Sequence, residues 1–236
     1  MMKNFPPAQK PAELAESRLI GAILDGTYPF ETFLPPEREL AERLGVTRPT
    51  LREALQRLGR DGWIEIHQGK PTRVRNPWQE GNLAVLSHLA EHPNHSYPQF
   101  VEHLLTVRCL LAPAYMRAAV EKAPEKAASL LRGHPPLGAT AETFAAFDWK
   151  IHLQLSILSG NPVFTMILNG FAGMYLELAR HYFLLPDARE NSQNFYQVLL
   201  QAAIAGDSRL AEEICQQVMQ ESITFWRRVQ FQETGG

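Results

Sequence analysis

The stretch from residue 34 to residue 76 is punctuated so tightly that few arrangements remain open to it. Gly45 separates two short helical patterns, Asp61-Gly62 closes the second, and HQGKP at 67–71 parts two short alternating runs. The first pattern predicts a helix over 36–44 with Leu40, Ala41 and Leu44 on one face. The second predicts a helix over 47–60 that buries Leu51, Ala54, Leu55 and Leu58. Thr47 can cap this second helix, and Pro49 falls in its first turn, where a missing N–H costs little. The alternating runs 63–66 and 72–74 around a Gly-containing turn predict a β-hairpin. Helix, tight turn, helix and hairpin make a winged helix-turn-helix, whose second helix meets the DNA major groove with its N-terminal residues.

Charge follows the same division. Residues 38–75 hold nine Arg/Lys against five acids, a net of +4, whereas residues 76–236 hold 11 basic and 15 acidic residues, a net of −4. The overall charge of −2 hides this asymmetry, which is the one expected when a single domain meets phosphate. The reading end carries Thr47, Arg48, Thr50 and Arg52, with Arg suited to paired hydrogen bonds with guanine and Thr to base or phosphate contacts. Glu37 and Arg38 start the preceding helix near the DNA backbone, and Gln68, Gly69 and Lys70 at the hairpin tip suit the minor groove.

The remainder reads as helices. The segment 11–25 is helical up to Gly26, 26–36 is a loop, and Asn76-Pro77-Trp78 marks a boundary. Beyond it, helices are predicted over 80–91, 97–120, 123–132, 140–159, 162–182, 187–205 and 207–231, with breaks at Pro93, 133–136, 160–162 and 206–207. The fold class expected is mostly α: a DNA-binding winged helix-turn-helix in 1–78, then an all-helical bundle in 79–236. No apolar run is read as approaching the roughly 18–20 residues of a membrane span. Residues 1–10 lack the apolar stretch of a secretory signal and read as a short arm. Cys109 and Cys215 fall in helical patterns and read as two buried thiols in a reducing cytoplasm. A phosphate-cradling Gly-rich loop, a nucleophile elbow and paired catalytic carboxylates are all lacking, so no enzyme is expected.

Residues 34–74, LPPERELAERLGVTRPTLREALQRLGRDGWIEIHQGKPTRV, resemble the DNA-binding domain of GntR-type bacterial regulators. The resemblance implies that Glu37, Arg38, Thr47, Arg48, Thr50, Arg52, Gly69 and Lys70 meet DNA. Pro49 stands where a small polar residue is frequent, and Gln68 where close relatives carry His. An all-helical C-terminal domain matches the FadR-like branch, which implies a homodimer on a palindromic operator, and two effector chemistries compete within it. One is a metal-bound small carboxylate: Asp148 and His152 share a helical face at i, i+4, with His181 as a third donor, beside the plainer reading of an intrahelical Asp–His hydrogen bond. The later ligand positions hold Tyr196 and Val218.

The other is long-chain acyl-CoA. GKPTRVRNPWQEGNLAVLSHLA, LLTVR, SGNPVFTMILNGFAGMYLELARHYF and ESITFWRRVQ are similar to the fatty-acid-responsive members of the branch. That resemblance implies a ligand cavity lined or bordered by Arg108, Tyr182, Tyr196, Ser222 and Trp226. Leu105, Phe171, Met174, Tyr175 and Phe225 would supply an apolar tunnel, and Arg108 or Arg180 a cation for the CoA phosphates. His152, Val218 and Met219 depart from those members, and Met219 is expected to narrow the entrance. The expected partners are duplex DNA, a second subunit and the acyl-CoA effector, with no cofactor and no membrane.

Overall fold

The computed structural model describes residues 10–92 and 99–234. The expected arm at 1–9 and the expected break at Pro93 lie outside them, as does the predicted start at residue 97. Two compact units are present, residues 1–96 and 97–236.

In the first unit, α1 (Pro11–Leu24) buries Ala12, Ala15, Leu19, Ile20 and Ile23, a stripe at helical spacing that packs on α3. Helix α2 (Glu37–Leu44) ends at Gly45, which takes the left-handed conformation at φ 68° and lets Val46 N–H reach the Ala41 carbonyl at 3.0 Å. Arg18 on α1 donates to the Leu44 carbonyl at 2.9 Å, satisfying one of the carbonyls that a helix end leaves free. Helix α3 (Arg48–Asp61) is capped by Thr47, whose Oγ1 accepts from Thr50 N–H, and it buries Leu51, Ala54, Leu55 and Leu58 as expected.

Strands β1 (Ile64–Glu65) and β2 (Arg73–Val74) pair antiparallel, Ile64 opposite Val74. The hairpin is shorter than the sequence suggests and wider in composition. Phe33 bridges Arg73, and Leu34 N–H and Val74 N–H bond Thr72 and Thr32 carbonyls at 2.8 Å. The 26–36 segment, read as a plain loop, thus contributes a third extended stretch against β2. Its Pro and Gly content hides an alternation too short to register. Next, Asn76 caps a one-turn helix α4 (Pro77–Glu80), accepting from Trp78 N–H at 3.1 Å. Helix α5 (Leu83–Glu91) returns to the same unit through Trp63 Nε1–H, which donates to His88 Nδ1 at 3.1 Å.

The second unit holds α6 (Phe100–Lys122), α7 (Pro124–Leu131), α8 (Ala141–Leu158), α9 (Pro162–Tyr182), α10 (Pro186–Ala205) and α11 (Ser208–Thr234). Pro124, Pro162 and Pro186 each occupy the first helical position, where φ is already helical and no N–H bond is lost, which is why the predicted and observed starts agree closely. Helix α6 packs along α11 and against α8, and Tyr115, Met116, Phe144, Ile151, Tyr196, Leu199 and Cys215 meet in one core. Cys215 is buried and Cys109 only half-buried, and both are free thiols. By length and composition α9 is apolar enough to cross a bilayer, contrary to the sequence expectation. It nevertheless packs on α8 and carries Glu177 and Arg180 near its end.

The turn between α2 and α3 makes the first unit sensitive at one position. A Cβ at Gly45 would meet nothing within 4 Å, so only the left-handed backbone opposes substitution. Gly45→Ala is expected to lower stability by about 1–2 kcal/mol, with Gly45→Asn intermediate. Urea unfolding followed by circular dichroism measures both.

Candidate nucleic-acid interface and ligand cavity

The helix-turn-helix brings Arg38, Thr47, Arg48 and Arg52 to the solvent-exposed ends of α2 and α3, and Thr50 half-buried beside them. Thr47 and Thr50 hydroxyls lie 2.9 Å apart, so one donates to the other and both are held at the α3 N-terminus. Gln68, Gly69 and Lys70 are exposed at the hairpin tip, with Gly69 at φ 72°. Among the described residues the side chains of Arg38, Arg48 and Lys70 have no hydrogen-bond or ion-pair partner. Neighbouring arginines, by contrast, are engaged: Arg43 with Glu39, Arg57 with Glu53 and Glu16, and Arg73 with Glu80 in a two-bonded fork. Arg52 is the exception at the reading end, its Nε donating to Glu37 Oε2 at 2.8 Å.

The second unit contains a cavity of about 880 Å³ of empty space, part of it open to solvent, walled by α6, α8, α9 and α11. Leu104, Leu105, Phe171, Met174 and Leu178 make the walls apolar. Arg108, Tyr182, Ser222 and Trp226 line it, and so do Asp148, His152, Tyr115 and Tyr175. Tyr196 does not line it; it is fully buried one layer behind, its hydroxyl donating to Asp148 Oδ1 at 2.8 Å. Phe225 also lies off the wall, edge-on to Tyr182 with ring centroids 6.2 Å apart. Val218 and Met219 are buried in the helical core and are not wall residues, so the expected narrowing of the entrance by Met219 is not found.

One end of the cavity is a dense polar knot. Arg108 Nη2 donates to Asp148 Oδ2 at 2.8 Å, and the Tyr175 hydroxyl donates to the same oxygen. Arg108 also donates to His152 Nε2, and an arginine accepts nothing, so Nε2 must carry the lone pair. The proton of neutral His152 is then on Nδ1 and is donated to the Tyr115 hydroxyl oxygen. Burial disfavours a charged His152, the Arg108 charge disfavours it further, and together they hold its pKa down at about 3 despite Asp148. Burial pushes the Asp148 carboxyl up, but the charge of Arg108 and the bonds from Tyr175 and Tyr196 outweigh it, so Asp148 stays ionised. Arg108 is half-buried; burial disfavours its charge, but the Asp148 carboxylate and the face of the Tyr175 ring, 5.5 Å away, keep it charged.

This geometry corrects three sequence readings. The Asp148–His152 hydrogen bond is not formed, their nearest atoms being 3.8 Å apart. The donor set does not fit a metal either: the Arg108 guanidinium bonds both Asp148 and His152, and His181 is turned to the Glu177 carbonyl and is not on the wall of this cavity. Arg108 is no free cation for phosphates, since Asp148 neutralises it; Arg180 is exposed, paired with Glu142 and Glu177, and off the cavity. Sequence reasoning missed the polar roles of Tyr115 and Tyr175. Arg108 and Tyr115 stand seven residues apart on one face of α6, and that spacing was the available signal.

Among the described residues, two cavity donors have no acceptor. Arg108 Nε and Trp226 Nε1 are buried and unbonded, although buried N–H groups are rarely left so. Ser222 differs: its hydroxyl donates to the Met219 carbonyl at 2.6 Å, which leaves it acceptor capacity at the wall.

Comparisons with known proteins agree with this two-part construction. The family of bacterial regulatory proteins called gntR matches residues 11–74, and the FadR C-terminal domain matches residues 75–233. A fatty acid metabolism regulator protein of Escherichia coli is 41% identical over 94% of this chain and 93% of its own. Another from Shewanella denitrificans is 44% identical over 84% of this chain and 83% of its own. A solved structure of Lar, which controls the Listeria monocytogenes agr system, covers 94% of this chain and 99% of its own with TM-score 0.60 and 16% identity, a likeness of fold alone.

The knot is expected to make the helical unit acid-labile. An unfolded His152 takes up a proton near pH 6.5 and the folded one only near 3. Between these values the unfolded chain binds more protons, so stability falls as pH falls. Urea midpoints measured from pH 7 to pH 4 are expected to decline, with a shallower slope in His152→Gln.

Proposed function

The chain belongs to the GntR family of bacterial regulatory proteins, with a FadR C-terminal domain, and from that premise we propose that it is a sequence-specific DNA-binding regulator of fatty-acid metabolism whose operator affinity is lowered by long-chain acyl-CoA. In this reading residues 1–78 form the DNA-reading domain with its linker, and residues 79–236 bind the effector and a second subunit. A homodimer reads a palindrome, because two-fold protein symmetry is met by two-fold operator symmetry. The protein acts in the cytoplasm, without membrane or cofactor, and catalyses no reaction.

The observation that carries the effector assignment is the pair of orphaned donors in a cavity that is apolar beyond its polar knot. An alkyl chain ending in a thioester carbonyl meets both demands: the chain fills the space along Leu105, Phe171 and Met174, and the carbonyl oxygen accepts from Trp226 Nε1 or Arg108 Nε. Since Asp148 already neutralises Arg108, the cavity favours a neutral polar group at that end over a second carboxylate. On the DNA side, support comes from the unpaired Arg38, Arg48 and Lys70 beside a capped helix start. Effector and DNA then compete by linkage: a ~100-fold loss of operator affinity requires about 2.7 kcal/mol of differential binding.

Fluorescence anisotropy of an operator duplex titrated with oleoyl-CoA tests the whole reading. Release at ligand excess is expected; operator binding that persists at saturating oleoyl-CoA contradicts it. Trp226→Phe keeps the ring and removes the N–H, and should raise the oleoyl-CoA needed for release by roughly 3- to 10-fold while sparing operator affinity. Arg48→Ala should cost about 1–3 kcal/mol on the operator and much less on random DNA. Lys70→Ala should weaken both duplexes alike and reduce the salt slope by about 1.

A further inference from the structure

We propose that Glu37 is a positioning residue for base reading: its carboxylate holds Arg52 by Nε and so presents the terminal Nη1/Nη2 edge of the guanidinium to a base. The inference rests on the DNA-reading function proposed above. Arg52 Nε donates to Glu37 Oε2 at 2.8 Å across the turn between α3 and α2. The two side chains are 66% and 42% exposed, and pairs so exposed contribute little to stability. The contact therefore has more effect on the geometry of Arg52 than on the fold.

Arginine offers two hydrogen-bonding edges, one through Nε and one through the two terminal nitrogens. Glu37 occupies only the first. Nη1 and Nη2 of Arg52 have no partner among the described residues, and they form the parallel pair of donors that matches guanine O6 and N7. A long side chain fixed in advance loses less freedom on binding, which raises affinity for the matching base. Arg48 stands one turn upstream on the same helical face, where two guanidinium groups repel. The Glu37 charge offsets that repulsion before DNA arrives. The same carboxylate opposes phosphate everywhere, so it lowers general affinity for DNA while sharpening discrimination.

The test uses a duplex selected by the wild-type protein from a random-sequence pool, its single base-pair variants, and a random duplex of equal length. Wild type, Glu37→Ala, Glu37→Gln, Arg52→Ala and the double alanine variant are titrated by fluorescence anisotropy at fixed salt, with thermal melts for folding. Glu37→Ala should bind the selected duplex about tenfold more weakly, the scale of a modest bidentate base contact. Its affinity for the random duplex should be equal or higher. It should relax preference at the same base pair as Arg52→Ala, and the double variant should lose no more than Arg52→Ala alone. Glu37→Gln, which keeps an acceptor for Nε, should recover part of the loss. The proposal is overturned if Glu37→Ala strengthens both duplexes by one factor, as for a merely repelling charge. It is equally overturned if both weaken together, or if a different base pair is relaxed. A wild-type protein that selects no sequence overturns the DNA-reading function itself, and that outcome is visible before any variant is made.

Discussion

The ion pair between half-buried Arg108 and buried Asp148 is the constraint around which the helical unit is organised. A buried charge is costly unless it is paired and hydrogen-bonded, and here the compensation comes from four helices: Arg108 from α6, Asp148 from α8, Tyr175 from α9 and Tyr196 from α10. None of these can shift far without exposing a charge to an apolar wall, and losing one partner of such a pair typically costs about 3–5 kcal/mol. The knot thus fixes the floor of the cavity. It also fixes its chemistry, because a neutralised arginine and a neutral His152 leave apolar walls with hydrogen-bond donors and no net charge to attract an anion.

The first unit distributes its charges by the opposite logic. Most of its arginines are tied to carboxylates, whereas Arg38, Arg48 and Lys70 have no partner among the described residues at the helix starts and hairpin tip. Backbone geometry makes this presentation possible. Gly45 turns sharply enough to bring α2 against α3, Thr47 closes the exposed end of α3, and β2 is held on both sides by β1 and by residues 31–34. Arg73 and Glu80 tie that strand to α4, so the hairpin is braced from the linker side as well.

Local patterns made the secondary structure legible. Apolar spacing marked α1 to α3, and Pro or Gly at nearly every helix start and end marked α7 to α11, because those residues act through the backbone alone. The segment 31–34 and the short α4 escaped, since each is too brief to show a period and depends on contacts with β2 or on the Asn76 cap. The cavity residues Arg108, Tyr182, Ser222 and Trp226 came from family resemblance; periodicity by itself gives each aromatic a place in the core. What the sequence hid is partner choice. Asp148 and His152 at i, i+4 looked like a pair, yet Asp148 turns to Arg108 and Tyr196, and His152 to Arg108 and Tyr115, all on other helices. The i, i+4 spacing of Asp148 and His152 does not reveal partners on other helices, and that is why a metal site stayed open on the sequence, whereas in the structure Arg108 engages both side chains.

A crystal structure of the protein with oleoyl-CoA tests the central claim most directly, namely that the cavity built on this pair holds an acyl thioester. The account predicts the alkyl chain along Phe171 and Met174, the thioester oxygen accepting from Trp226 Nε1 or Arg108 Nε, and the Arg108–Asp148 contact retained. An acyl chain bound elsewhere, or a ligand carboxylate displacing Asp148 from Arg108, would contradict it.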